Sequence, residues 1–213
     1  MFLAACLAGC RKEPPPRPWE APKAPFWARS SLDEDQGKPF AYDPAASYEA
    51  LVKTSMGEFR IGFYPQETPE TVKTFITLAG HHYYDGLLVF RVRSGEFIEA
   101  GDPENTGAGV TGFNIKGELT ARPFVPGTVG LARKENPDSG SSIWFVCLAR
   151  KPEWDGKYSA FGYVKEGLDV VRRISQLPVF GDLAVLPASR QRPVDPPVIH
   201  SVEVIKVSQP ADK

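Results

Sequence analysis

Apolar and polar positions begin to alternate regularly near Tyr48. Residues 51–55 and 58–64 read as two strands around Met56-Gly57. Phe59, Ile61 and Phe63 fall on one side and Glu58, Arg60 and Gly62 on the other, the two-residue period of a half-buried strand. The pattern predicts a hairpin with one face in the core. The period then lengthens. Thr68-Pro69-Glu70 offers a capping hydroxyl, a proline at the first helical position and an acid near the positive end of the helix dipole. Val72, Phe75, Ile76 and Ala79 recur at helical spacing until Gly80 closes the segment. Further short strands are predicted at 127–132, 143–148, 160–164 and 198–207, and Leu168, Val171 and Ile174 mark a second short helix. Many short strands with two helices predict an antiparallel barrel or sandwich whose ends the helices cover. A doubly wound parallel sheet would need more helices.

Between these elements lies VFRVRSGEFIEAGDP, residues 89–103. Arg91 stands in an apolar strand-like run, and Phe97 and Glu99 alternate around Ile98 after a Ser-Gly turn. Residues two apart on a strand share a face, so Phe97 and Glu99 are expected in one cleft with Arg91. Burying a cation beside an apolar floor is costly, and such an arrangement needs a functional reason. The glycine-rich run that follows contains Gly107-Ala108-Gly109-Val110-Thr111-Gly112, a formal dinucleotide fingerprint. It continues into FNIKGEL and not into an amphipathic helix, so it lacks the context that gives the motif meaning and reads as a permissive loop.

Composition narrows the function classes. The 213 residues, 42% hydrophobic, suffice for one domain with extensions. Lysine and arginine total 25 against 26 acids, for a net charge of -1, which removes the electrostatic case for a nucleic-acid partner. Cys6 and Cys10 lie in the first ten residues and Cys147 stands alone in an apolar run. No disulfide framework follows, and Cys147 reads as a small buried hydrophobe. His81, His82 and His200 have no metal-ligand spacing with one another or with the cysteines, so no metal site is expected.

The N-terminal MFLAACLAGC is apolar but too short to span a bilayer. Its Leu7-Ala8-Gly9-Cys10 resembles the lipobox of bacterial lipoproteins, whose cysteine carries lipid, although no basic n-region precedes it. Residues 11–25, RKEPPPRPWEAPKAP, favour polyproline II at roughly 3.1 Å per residue, a semi-rigid spacer. The expected organisation is a signal remnant over 1–10, a Pro-rich tether over 11–44, a folded domain over 45–208 and a tail over 209–213. Residues 26–44 are expected as linker or as a strap on the domain. A monomer held to a membrane of a bacterial envelope through Cys10 is the corresponding expectation.

YYDGLLVFRVRSGEFIEAGDP, with TSMGEFRIGFYPQETPETVKTFITLA before it and GTVGLARKENPDSGSSIWFV and EWDGKYSAFGYVKEGLDVVRRI after it, closely resembles cyclophilin-type peptidyl-prolyl isomerases. The similarity spans about residues 50–174, and VIHSVEVIKV resembles the family's closing strand. It implies a closed eight-stranded antiparallel barrel capped by two α-helices, no cofactor, and proline-containing polypeptides as substrates. By the same resemblance Arg91 matches the catalytic arginine, and Phe97 falls where a methionine usually lines the proline pocket. Phe145 matches the pocket's phenylalanine floor, and Tyr158 takes a position held by histidine in many members. Ala132 and Arg133 match the strand edge that hydrogen-bonds substrate backbone.

The departures concern charge. Glu96 replaces a pocket phenylalanine, Glu99 the site glutamine, Ile143 a second glutamine, and Glu153 a tryptophan found in some members. Trp154 stands beside Glu153 and is grouped with the substrate-binding residues. A fixed guanidinium can donate to the prolyl nitrogen as its lone pair leaves conjugation, which stabilises the twisted amide above either planar form. Glu99, expected on the same face, would pair with Arg91 and compete for its donors. Two other readings stand beside the enzyme: a proline-binding or chaperone module with weakened catalysis, and a structural lipoprotein domain.

Overall fold

The two-residue period near the start of the domain folds as β1 (Ser47–Thr54) and β2 (Gly57–Phe63), paired antiparallel with Thr54 opposite Gly57. The structure, a computed structural model, describes residues 40–109, 111–181 and 190–207. Cys10, the tether as far as residue 39 and the tail lie outside the described residues. Next come α1 (Pro69–Gly80), β3 (Arg91–Arg93), β4 (Phe97–Ala100), β5 (Thr128–Leu131), β6 (Trp144–Cys147), β7 (Ala160–Glu166), α2 (Leu168–Ser175) and β8 (Ile199–Val207). The strands form one antiparallel sheet in the order β3-β4-β6-β5-β7-β2-β1-β8. Helix α1 packs on β7 and β8, and α2 on β2, β3 and β4.

The sheet curls around one core. Phe59, Phe75, Tyr84, Trp144 and Phe161 fill its interior, with Phe75 and Trp144 edge-on at 6.0 Å. Cys147 is buried and free, and its Sγ donates to Ala149 O at 2.8 Å, as expected of a small core group.

The expected closed barrel is corrected to an open, half-barrel sheet, because no ladder joins the edge strands β3 and β8. Residues in and just before these strands meet instead through separate bonds. Gly86 N–H donates to Ile199 O at 2.7 Å, Val89 N–H to Pro197 O at 2.9 Å and Val92 N–H to Gln191 O at 2.8 Å. Pro193, Pro196 and Pro197 occupy the approach to β8. Lacking N–H groups, they cannot extend a ladder along that edge.

Two local expectations also change. Thr68 does precede α1, but its side chain caps nothing and donates to Tyr64 O. The cap comes from Glu118, whose carboxylate accepts from Glu70 N–H at 3.0 Å, Thr71 N–H at 2.8 Å and the Thr71 hydroxyl at 2.7 Å. A carboxylate satisfies those orphan donors and complements the helix dipole. At the other end the left-handed residue is His82, with φ 58°. Gly80 is required for a different reason: a Cβ there would lie 2.3 Å from the Phe40 ring.

Phe40 also packs edge-on against Tyr48 at 6.4 Å, and Tyr42 stacks on Tyr48 at 5.5 Å. Asp43 pairs with Lys206 at 2.8 Å. Residues 40–43 therefore lie on the domain. The glycine-rich run is a loop, wrapped around the buried Asp102, which accepts from the backbone N–H groups of Glu104, Thr106, Gly107 and Gly109. A Cβ on Gly109 would fall 1.7 Å from that carboxylate, which accounts for glycine at that position.

Candidate active site

Strand β6 is buried on both faces, and its alternation divides two clusters. Trp144 and Val146 enter the main core, whereas Phe145 and Cys147 turn outward and pack with Phe124, Ala160, Ala132, Trp154 and Tyr158. Gly130 on β5 makes room for them, since a Cβ there would stand 2.4 Å from the Phe145 ring. Phe145 lies 5.6 Å from Phe124, 5.1 Å from Trp154 and 5.5 Å from Tyr158, centroid to centroid. Phe97, opposite Cys147 in the ladder, meets Trp154 edge-on at 5.9 Å. The result is an aromatic notch on the outer face of β4, β6 and β5.

Arg91 stands at the rim of this notch. Its β3 position is paired with Glu99 on β4, and its Cζ sits 5.0 Å from the centre of the Phe97 ring. Nη1 donates to Glu99 Oε2 at 3.1 Å and Nε to Gln191 Oε1 at 2.7 Å. Among the described residues Nη2 has no hydrogen-bond partner. The expectation of a buried cation needs correction: the Arg91 side chain is 43% exposed and that of Glu99 12%. A guanidinium tolerates this partial exposure, and the desolvated ion is the carboxylate. Burial pushes the Glu99 carboxyl above its ordinary range, and the opposing Arg91 offsets only part of that shift.

The rest of the expected site is close by. Arg133 lies with its Cζ 5.0 Å from the Tyr158 ring centre. Its guanidinium is tied to the Lys157, Lys134 and Glu135 carbonyls, so it shapes the edge and has few donors left for a ligand. Ala132 donates its N–H to Ile143 O at 2.8 Å. Any bond from that residue to a peptide would thus run through the carbonyl. Glu96 is held by Arg93 at 2.9 Å and by Lys151, which directs it into an ion cluster beside the notch. Glu153 is exposed. Trp154 is fixed by a turn in which Arg150 pairs with Asp155 and Asp155 Oδ1 accepts Phe124 N–H at 2.8 Å. The Arg150 contact holds the Asp155 carboxyl below its ordinary range.

Two members of the site were not expected from the sequence. Phe124, fully buried beneath Phe145, lies in ARPFVPG, where flanking prolines erase any periodicity; an aromatic between two prolines was the available signal. Gln191 lies in an irregular proline-rich stretch. Nothing local announces its contact with a residue 100 positions away.

An aromatic notch with Arg91 at its rim, on a curled eight-stranded sheet with two helices, defines a class, and comparison with known proteins identifies it. The family of cyclophilin type peptidyl-prolyl cis-trans isomerases matches residues 50–204, and the chain belongs to that family. Peptidyl-prolyl cis-trans isomerase-like 1 of Neurospora crassa is 37% identical over 136 residues, covering 61% of this chain and 82% of its own length. A peptidyl-prolyl cis-trans isomerase of Synechococcus elongatus is 34% identical over 128 residues, 59% of this chain and 88% of its own. Peptidylprolyl isomerase cyp7 of Schizosaccharomyces pombe is 37% identical over 171 residues, 76% of this chain, but the match spans just 35% of that protein. Among solved structures, a Cryptosporidium parvum cyclophilin type isomerase superposes with a TM-score of 0.66 at 22% identity over 77% of this chain and 99% of its own. The same isomerase was solved in the presence of the dipeptide Ala-Pro. The chain is a cyclophilin-type peptidyl-prolyl cis-trans isomerase.

Proposed function

We propose that the outer notch binds proline rings of flexible polypeptide segments, that Arg91 drives rotation of the X-Pro bond, and that the enzyme works in a bacterial envelope, tethered through Cys10. The observation that carries the catalytic part is the Arg91 guanidinium 5.0 Å from the Phe97 ring, beside Phe145, Trp154 and Tyr158. An X-Pro bond faces a resonance barrier of roughly 18–20 kcal/mol. Nη2, directed at the prolyl nitrogen, donates more strongly once that lone pair has left conjugation, so the twisted amide gains more than either planar isomer. Phe97 and Phe145 hold the pyrrolidine, and the carbonyls of Ala132 and Arg133 orient the peptide. The substrate class is also consistent with the Ala-Pro dipeptide used with the Cryptosporidium relative.

One observation favours a second reading, a proline-binding module with little turnover. Glu99 occupies Nη1 of Arg91 and stands where the resemblance expects a neutral glutamine. On our reading it restrains the enzyme without disabling it. Glu99→Gln should raise isomerisation of a neutral test peptide about three- to tenfold, equivalent to about 0.7–1.4 kcal/mol. The pH profile gives an independent check. Since the Glu99 carboxyl is raised, acidification from neutrality protonates it early and removes its negative charge from Arg91 while its carbonyl oxygen can still accept from Nη1, so wild-type kcat/KM should climb as pH falls. The Gln variant should show no such climb. A raised folded-state value also means that Glu99 favours folding below its unfolded pKa, and that this contribution is lost as pH rises through the folded one. Glu99→Gln should therefore cost no stability at pH 7. An unchanged or lower rate in the variant would favour the module reading.

Charge at Glu99 also favours substrates with a basic residue near the proline. The envelope location rests on the likeness of Leu7-Ala8-Gly9-Cys10 to a lipobox and on the proline-rich spacer after it. Intact-mass measurement of the protein from native membranes should show an acylated Cys10 as the first residue. An unmodified N-terminus before Cys10 would remove the anchor from the proposal.

A further inference from the structure

The approach to β8 does more than bridge the open edge of the sheet. Residues 178–181 and 190–194 run side by side: Gly181 N–H donates to Arg190 O at 3.0 Å, Phe180 N–H to Arg192 O at 3.1 Å and Val194 N–H to Pro178 O at 2.9 Å. The returning segment lies against β3, where Gln191 O accepts Val92 N–H at 2.8 Å. Arg192 Nη1 reaches Asn105 O at 3.1 Å. The backbone around Gln191 is therefore held between residues 178–181 and β3, with the Arg192 side chain adding a tie to Asn105, and from that base the Gln191 side chain places Oε1 2.7 Å from Arg91 Nε.

Resting on the active-site reading above, we infer that Gln191 is a positioning residue for Arg91. A guanidinium held by Glu99 alone would pivot about Nη1. With Gln191 on Nε and the Phe97 ring 5.0 Å from Cζ, its plane is defined by three contacts, and the unpartnered Nη2 is the donor turned to the substrate. A side-chain amide suits this task, because its oxygen accepts at Nε without adding a second negative charge to the one Glu99 already supplies. Such fixing matters for a transition state stabilised by one directed donor, where loss of orientation lowers the rate without removing the charge.

The test is made on the intact chain with Gln191→Ala, Gln191→Glu and each of these combined with Arg91→Ala. Gln191→Ala keeps the backbone bond to Val92 and removes the bond to Nε. We expect kcat/KM for an X-Pro peptide to fall about tenfold, with peptide affinity changed less than about twofold. Gln191→Glu, which retains the acceptor, should restore the rate to within about threefold of wild type. On the Arg91→Ala background Gln191→Ala should have no further effect, because the residue it acts through is gone. Nitrogen-15 NMR supplies a readout apart from turnover: the Arg91 Nε–Hε proton should exchange slowly in wild type and Gln191→Glu, and rapidly in Gln191→Ala. A Gln191→Ala rate equal to wild type, or a loss that adds to that of Arg91→Ala, overturns the inference alone. Turnover that survives Arg91→Ala overturns the active-site reading itself, and the positioning role with it.

Discussion

Arg91→Ala is expected to lower kcat/KM for a short X-Pro peptide at least about a hundredfold, on the scale seen when a single preorganised donor is removed from a transition-state site. The fold should survive, because the side chain is 43% exposed and its β3 backbone bonds remain. The variant does strand Glu99, whose carboxylate is 12% exposed, so the proper control is Arg91→Ala with Glu99→Gln, which leaves no unpaired buried charge. Arg91→Lys should rescue little. An ammonium is a point charge on a flexible stem, and it cannot serve Gln191, Glu99 and a substrate nitrogen together in one plane. A protease-coupled assay reads all three variants. Retention of more than half the activity in the double variant would remove Arg91 from the mechanism.

Phe145→Ala should produce the largest combined loss of stability and binding. Phe145 is 6% exposed, and its ring touches Phe124, Trp154 and Tyr158, so truncation empties the centre of the outer cluster. Large-to-small changes at buried phenylalanines cost about 3–5 kcal/mol, equivalent to roughly 10 °C in Tm for a domain of this size. Phe145→Leu separates the two effects. It refills most of the volume and should recover most of the thermal stability, yet it replaces the flat ring against which a pyrrolidine packs, so peptide affinity should still fall several-fold. Thermal unfolding and peptide titration on both variants check this. A Phe145→Leu protein that binds proline peptides as tightly as wild type would make Phe145 an ordinary core residue.

How much of this was legible in the sequence depends on the range of each interaction. Hairpin β1–β2 follows from Phe59, Ile61 and Phe63 alternating against polar neighbours, a signal carried within seven residues. In β6 that signal is absent, since Trp144 and Phe145 are buried on opposite faces. There the resemblance to the cyclophilin family supplied what periodicity lacked, and it named Phe145 and Arg91. The pairing of Arg91 with Glu99 was also readable, because both lie in one short hairpin. What failed was non-local. The cap of α1 is Glu118, 47 positions from the Thr71 hydroxyl it holds, and Thr68, the local candidate, turns elsewhere. The open edge of the sheet follows from prolines before β8 whose missing N–H groups matter once β3 lies beside them. Gln191 and Phe124 sit in proline-rich segments with no period at all, and their places are set by the folded neighbours they meet.

A proline ring that enters the notch beneath Arg91 must bring its pyrrolidine protons against Phe97 and Phe145. Intermolecular NOEs between a labelled wild-type protein and an Ala-Pro peptide test this placement most directly. Contacts from the pyrrolidine protons to the rings of Phe97 and Phe145, lost in Phe145→Ala, are the predicted result. Pyrrolidine contacts confined to residues away from Arg91, Phe97 and Phe145 would contradict it.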